Sequence, residues 1–264
     1  MPEGNEIHRF ALRHATAFAG RRVQVDSPNG GFAHADLLDR RMLRGVEAYG
    51  KHLGYFFGRD LILHVHLGMY GDFREGQMPY PEAKGALRLR MWTKTDWIEL
   101  RGPTDCSIFN EERWKALLQR LGPDPLREDS DPAPAFALIE RRATPIGALL
   151  MDQSVFAGIG NIYRAELLFR ARLHPFRPGS AVSASQKKGL WTEAKKLMRN
   201  GMVDRRIVTT RSADRSHRSR PVHDEDVHYV YRRQGRPCRV CSVKIESRQI
   251  AGRTVYWCPQ CQKD

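Results

Sequence analysis

The chain has no apolar run approaching the ~20 residues that a membrane-crossing helix requires, and its first residues do not look like a secretory signal. Cysteine is scarce: five in 264 residues, with only Cys106 outside a Cys-x-x-Cys pair. A secreted disulfide scaffold is therefore not indicated. A soluble intracellular protein is expected, cytoplasmic and, in a bacterium, nucleoid-associated. No internal repeat is visible. Acidic residues are also short: 30 Asp and Glu face 44 Lys and Arg, a formal net charge of +14.

The basic excess is uneven. Between Arg199 and Arg239 it crowds into Arg205-Arg206, Arg215, Arg218, Arg220 and Arg232-Arg233. Clustered positive charge attracts a polyanion and gives salt-dependent binding through counterion release. The cysteines sharpen this reading. Cys238-x-x-Cys241 and Cys258-x-x-Cys261 form two knuckles, each aiming two sulfurs at one tetrahedral metal, so a single structural Zn2+ is expected. Between the knuckles lies a hairpin whose tip reads Ala251-Gly252-Arg253. Arg253 on a rigid turn suits a phosphate contact, while a purely structural zinc knob stays open at this point.

The fold class expected is α+β. Apolar positions at Ile7, Phe10, Ala11, Ala15 and Phe18 predict a helix over 3–19. Strands follow at Leu61–His66, Leu87–Met91 and Trp97–Leu100, so residues 1–120 read as a β-sandwich with flanking helices. Leu121-Gly-Pro-Asp-Pro125 opens a Pro- and Asp-rich stretch, a linker over 121–135. Residues 136–232 read as a helical domain, with helices over Ile146–Val155, Asn161–Phe169 and Gln186–Asn200, the last stopped by Gly201. The stretch 210–226 lacks periodicity and reads as a mobile loop. Residues 233–264 form the zinc hairpin.

Three segments, in order, resemble the formamidopyrimidine-DNA glycosylase and endonuclease VIII family of base-excision repair enzymes. They are Met1-Pro2-Glu3-Gly4 with Glu6, then Met151-Asp152-Gln153 with Ala157-Gly-Ile-Gly-Asn161-Ile-Tyr163 and His174-Pro175, and the C-terminal finger with Arg253. The second resembles the family's helix-two-turn-helix element. The resemblance covers nearly the whole chain. It implies a bifunctional DNA glycosylase and abasic-site lyase, monomeric, acting on damaged double-stranded DNA, with single-stranded DNA left open. DNA would lie between two domains.

The chemistry follows from the residues so matched. Removal of Met1 would free the secondary amine of Pro2, and an α-amine titrates near ~8 where lysine sits near ~10.4. Such an amine can attack the anomeric carbon and expel the base. The resulting iminium cannot shed its charge and draws electrons for β,δ-elimination. Glu3 beside it would protonate the sugar ring oxygen; Glu6 is open to the same work or to helix-dipole stabilisation. By resemblance Lys51 stabilises charge near the lesion, Arg253 joins the catalytic set, and Asn161 after Gly158-Ile-Gly160 contacts phosphate. Met69 and Tyr70, in His66-Leu-Gly-Met-Tyr-Gly71, fill the gap left by a flipped base.

This chain also departs from purine-type members. Ile146-Gly147 replaces their Ile-Lys, Asp105–Phe109 lacks the arginine of their Arg-x-Phe wedge, and the opening reads Pro-Glu-Gly. Oxidised pyrimidines are therefore favoured as substrates. An oxidised-purine glycosylase of the same fold, or a non-catalytic zinc-finger DNA-binding protein, are the alternatives.

Overall fold

The computed structural model describes residues 2–218 and 221–263; Met1, and Arg220 of the basic cluster, lie outside the described residues. The chain divides between Arg120 and Leu121 into two compact units.

The first unit opens with α1 (Gly4–Phe18), β1 (Arg21–Arg22), β2 (Gln24–Asp26), α2 (Ala35–Leu38) and β3 (Met42–Leu43). It continues through β4 (Gly45–Tyr49), β5 (His52–Gly58), β6 (Leu61–His66) and β7 (Asp72–Gln77). Then come β8 (Leu87–Trp92), β9 (Asp96–Arg101), β10 (Asp105–Phe109) and α3 (Glu111–Gln119). Two antiparallel four-stranded sheets result, ordered β10-β6-β5-β4 and β2-β8-β9-β7. Their apolar faces share one core with α1: Leu53, Tyr55, Leu63 and Val65 from one sheet, Met91, Ile98 and Leu100 from the other, Phe10 from the helix. This is the sandwich expected for residues 1–120. The outer face of the β10-β6-β5-β4 sheet is covered by α3, whose Trp114 meets Phe56 edge-on at 5.7 Å.

The second unit holds α4 (Ala133–Glu140), α5 (Ile146–Leu149), α6 (Asn161–Arg170) and α7 (Ala184–Val203). It ends in the hairpin β11 (Glu246–Ile250) and β12 (Arg253–Trp257). Ile139, Leu150, Phe156, Tyr163, Leu168 and Met198 are central to its helical core. Residues 121–132 contain no helix or strand, yet they belong to this unit: Gly122 N–H donates to the Gln153 carbonyl (2.8 Å), Ala157 N–H to the Pro123 carbonyl (3.1 Å), and Asp124 is buried.

Two helix expectations need correction. The helix predicted over Ile146–Val155 stops at Leu149. Beyond it Asp152 accepts from the Ser154 N–H (2.9 Å) and hydroxyl (2.6 Å), and the Gln153 amide donates to the Met151 and Ile159 carbonyls. Local side-chain bonds thus replace the helical ladder. Conversely, α7 begins two residues early, where Ser183 and Gln186 form a reciprocal capping box. It also runs through Gly201, the expected stop, which is buried inside the last turn. Of 210–226, the described part carries two short 3-10 turns, Ser212–Asp214 and Asp224–Asp226. Buried Asp226 accepts from the Ser216 and His217 N–H groups and from Arg239. Among the described residues no helix is long and apolar enough to cross a membrane.

Candidate active site and zinc centre

In the first unit Pro2 and Glu3 lead directly into α1. Glu3 is the N-cap of α1, extended at φ −116°, ψ 178°. Its carbonyl accepts from the Glu6 and Ile7 N–H groups, and the residue is 1 % exposed. Pro2 is therefore tethered to a rigid start. Glu6 is held by the Arg9 guanidinium, and Arg9 also reaches Glu75. Asn5, one helical turn before Arg9, is also buried.

Lys51 sits in a two-residue hairpin turn between β4 and β5, closed by the pair Tyr49·His52. Gly50 takes φ +57° at the first turn position, as a II′-type hairpin requires. The loop after β6 is equally constrained. Gly71 N–H bonds the Leu67 carbonyl at 3.0 Å, and a Cβ on Gly68, at φ +70°, would stand 1.7 Å from Thr104 Oγ1. Leu67 is buried under this turn, whereas Met69 and Tyr70 project from it, 44 % and 86 % exposed. Met69 and Tyr70 are therefore not core residues.

In the second unit the four cysteines converge. Cys241 and Cys258 Sγ lie 3.3 Å apart, Cys238 and Cys261 Sγ 3.9 Å apart, and all four within 4.8 Å of one another. A zinc ion with ~2.3 Å bonds sets tetrahedral sulfurs ~3.8 Å apart, so the donor set and its spacing fit Zn2+. Burial pushes the Cys258 thiol up and the Cys261 thiol to about 11, a cost that a divalent cation offsets by holding thiolates. Cys106, by contrast, is raised by burial to about 12 and is inert at neutral pH.

The two cysteine knuckles flank the β11–β12 hairpin. Ala251 and Gly252 form its turn with φ +48° and +71°, the I′ pattern of two positive values. Ile250 pairs with Arg253, which is exposed as the first residue of β12. Asn161 is the first helical residue of α6, with Gly160 as N-cap. The Asn161 amide donates to the Thr254 carbonyl at 3.1 Å. The structure thus joins Asn161 to the residue beside Arg253.

Sequence reasoning missed two buried charges that complete this arrangement. Arg164, 0 % exposed, donates to Asn161 Oδ1 and to the Thr254 carbonyl at 3.0 Å. Glu166, also 0 % exposed, accepts from the N–H groups of Tyr229, Val230 and Tyr231 at 2.8, 2.9 and 2.8 Å and from the Thr209 hydroxyl. The available signal was charge on a helix otherwise full of inward apolar residues. Helix α6 is the platform for the finger at both of these points.

Comparison with known proteins agrees with this geometry. Residues 1–104 match the formamidopyrimidine-DNA glycosylase N-terminal domain, and residues 121–212 match the formamidopyrimidine-DNA glycosylase H2TH domain. Residues 235–263 match the zinc finger found in FPG and IleRS. Endonuclease 8 1 of Mycobacterium tuberculosis is 43 % identical, over 99 % of this chain and 100 % of its own. Formamidopyrimidine-DNA glycosylase of Thermus thermophilus is 32 % identical, over 99 % and 98 %. Lactococcus lactis Fpg, solved in complex with N7-benzyl-Fapy-dG DNA, superposes with TM-score 0.81 at 22 % identity, covering 100 % of both chains. The chain belongs to the formamidopyrimidine-DNA glycosylase and endonuclease VIII family.

Proposed function

We propose that this chain is a DNA glycosylase with abasic-site lyase activity, acting as a monomer on damaged DNA in the cytoplasm. Its nucleophile is the Pro2 amine, freed by removal of Met1. The amine lone pair attacks C1′ and the glycosidic bond breaks, the base leaving with its electron pair and taking up the proton that the Pro2 nitrogen sheds once it is bonded to carbon. Glu3 gives its proton to the ring oxygen as the C1′–O4′ bond opens, leaving an iminium ion on Pro2. Loss of a C2′ proton then expels the 3′ phosphate, and a second elimination expels the 5′ phosphate. Lys51 and Arg253 meet phosphate charge, Asn161 orients the strand contact, and Met69 with Tyr70 replaces the extruded base. One Zn2+ on Cys238, Cys241, Cys258 and Cys261 holds the finger and takes no part in bond making.

The observation that carries this reading is Glu3: a carboxyl 1 % exposed, locked as the cap of a helix directly after Pro2. Oxidised pyrimidines are the preferred substrates. Supporting this, 105–109 is strand β10, paired along its whole length with β6, and Phe109 is buried against His64 at 4.4 Å rather than offered as a wedge. Borohydride reduction on abasic DNA tests the nucleophile. The cross-link should map to Pro2 and should vanish when any residue is retained before it. A cross-link at Lys51 would sink the mechanism. Excision from paired purine- and pyrimidine-lesion duplexes decides the preference.

A further inference from the structure

The hairpin that carries Lys51 is braced by a column of side chains with no role in the chemistry above. On the outer face of the β10-β6-β5-β4 sheet, Asp105 Oδ2 lies 3.0 Å from His64 Nδ1. His64 Nε2 lies 3.0 Å from His52 Nδ1. His52 and His66 face each other across β5 and β6, and His66 faces Asp105 across β6 and β10, with the His52 and His66 rings 4.8 Å apart. Three strands are therefore tied together at the end of the sheet where the Gly50-Lys51 turn emerges. His52 is both the last link of the column and the residue that closes that turn.

The hydrogen-bond polarity of the column is fixed by chemistry. A carboxylate only accepts, so Asp105 requires the proton on His64 Nδ1. The neutral His64 ring then offers a lone pair at Nε2, and His52 must donate to it from Nδ1. Protonating His64 would set two N–H groups against each other. The surroundings keep the rings neutral. Burial first, then the nearby His66, His64, Arg120 and Lys51, lower His52 to about 3. Burial lowers His64 to about 4, assisted by His66 and Arg113, against the pull of Asp105. His66 is lowered by burial and by Lys51, against Asp105. A metal-bound histidine commonly owes its tautomer and aim to such a carboxylate behind it; here the same device ends on a hairpin turn.

We infer that Asp105, His64 and His52 are positioning residues for Lys51: their hydrogen-bonded column sets where the hairpin presents the lysine to its phosphate. The inference rests on the role given to Lys51 above. A lysine ammonium is a point charge on a flexible stem, so its aim depends on the backbone beneath it, and a displacement of ~1 Å can cost ~100-fold in rate.

The test is a mutant cycle read by single-turnover excision and by thermal unfolding. H64F keeps the aromatic packing on Phe109 but deletes both hydrogen bonds. It should lose ~10- to 100-fold in rate. In a K51A background the same change should cost almost nothing further, because interacting sites are non-additive. Asp105 is partly exposed, so D105A tests the column with little risk to folding. D105A should lose rate, and D105N, whose amide oxygen still accepts from His64, should restore most of it. A wild-type rate for H64F and D105A overturns the positioning role while leaving Lys51 intact. So does an equal loss from H64F with and without Lys51. A wild-type rate for K51A would instead remove the role of Lys51 itself.

Discussion

Replacing Glu166 by alanine should uncouple the root of the zinc finger from α6 without dismantling the finger. The carboxylate accepts hydrogen bonds from the Tyr229, Val230 and Tyr231 N–H groups. Tyr229 and Val230 are 2 % and 0 % exposed. An orphaned buried donor costs ~1–3 kcal/mol, and bonds to a charged acceptor lie at the strong end. Two fully buried amides and one partly buried one therefore place the loss at roughly 4 kcal/mol, less if water fills the space left by the side chain. Against a typical domain stability of ~5–15 kcal/mol that is a large fraction. It should lower the melting temperature by roughly 10 °C at ~3 °C per kcal/mol.

Function should follow from where those amides lead. Tyr229, Val230, Cys238, Ile245 and Cys258 pack with Ala165 and Phe169 of α6, so the finger loses its lower anchor. The upper anchor, Asn161 and Arg164 on the Thr254 carbonyl, remains. Lesion-DNA affinity should drop while zinc content stays near one equivalent, since the four sulfurs are set by the local knuckles. Glu166→Gln, which keeps one acceptor oxygen, should lose about half as much. The assays are thermal unfolding, zinc by mass spectrometry, and amide exchange at residues 229–231. A melting point within ~3 °C of the parent, with those three amides still protected, would refute the reasoning.

Cys258→Ser should release zinc, unfold the hairpin and lose DNA affinity together, because metal binding and local folding are linked; full affinity in the zinc-free mutant would remove the finger from DNA binding. Met69→Ala should slow excision of a damaged base more than cleavage of a preformed abasic site, which has no base to unstack; equal losses would assign Met69 to structure alone. The first unit should lose stability as pH falls from ~6.5 towards ~4, because His64 and His52 are lowered in the fold to about 4 and about 3 and the unfolded chain then binds more protons. The loss from His64 alone is roughly 3 kcal/mol, and pH-independent unfolding by urea across that window would contradict it.

The parts of this molecule that were legible in the sequence are those written in short-range pattern. Alternation marks the strand Leu87–Met91, the turn after it marks the return strand Trp97–Leu100, and helical spacing marks α1, because each depends only on local pattern. The two Cys-x-x-Cys knuckles were legible for the same reason. What was not legible depends on partners distant in sequence. Glu166 is meaningful only when residues 229–231 fold back on it, and Asp105 only when β10 lies beside β6. The overlong Ile146–Val155 helix failed because Asp152 and Gln153 satisfy the backbone locally, which apolar periodicity cannot report. Asn161 reads in sequence as a phosphate contact; in the structure its amide donates to the Thr254 carbonyl of the finger, a role that no window around position 161 contains.

The same distinction bears on substrate preference. The missing lysine at position 147 reads in sequence as one absent charge, but the fold gives the position a packing role. Gly147 N–H bonds the Pro175 carbonyl at 2.9 Å, and a Cβ at 147 would stand 2.8 Å from that same oxygen and 3.2 Å from the Pro175 Cβ. Contacts below ~3 Å force the backbone to move, so a side chain here requires the His174-Pro175 turn to shift. Similarly, the Asp105–Phe109 segment is committed to the ladder with β6, with Asp105 bonded to His64 and Phe109 stacked on it. An arginine wedge there would have to leave a sheet that this chain has completed. Both departures from the purine-type pattern are thus held by surrounding structure, and neither is a single-residue choice that one substitution could reverse.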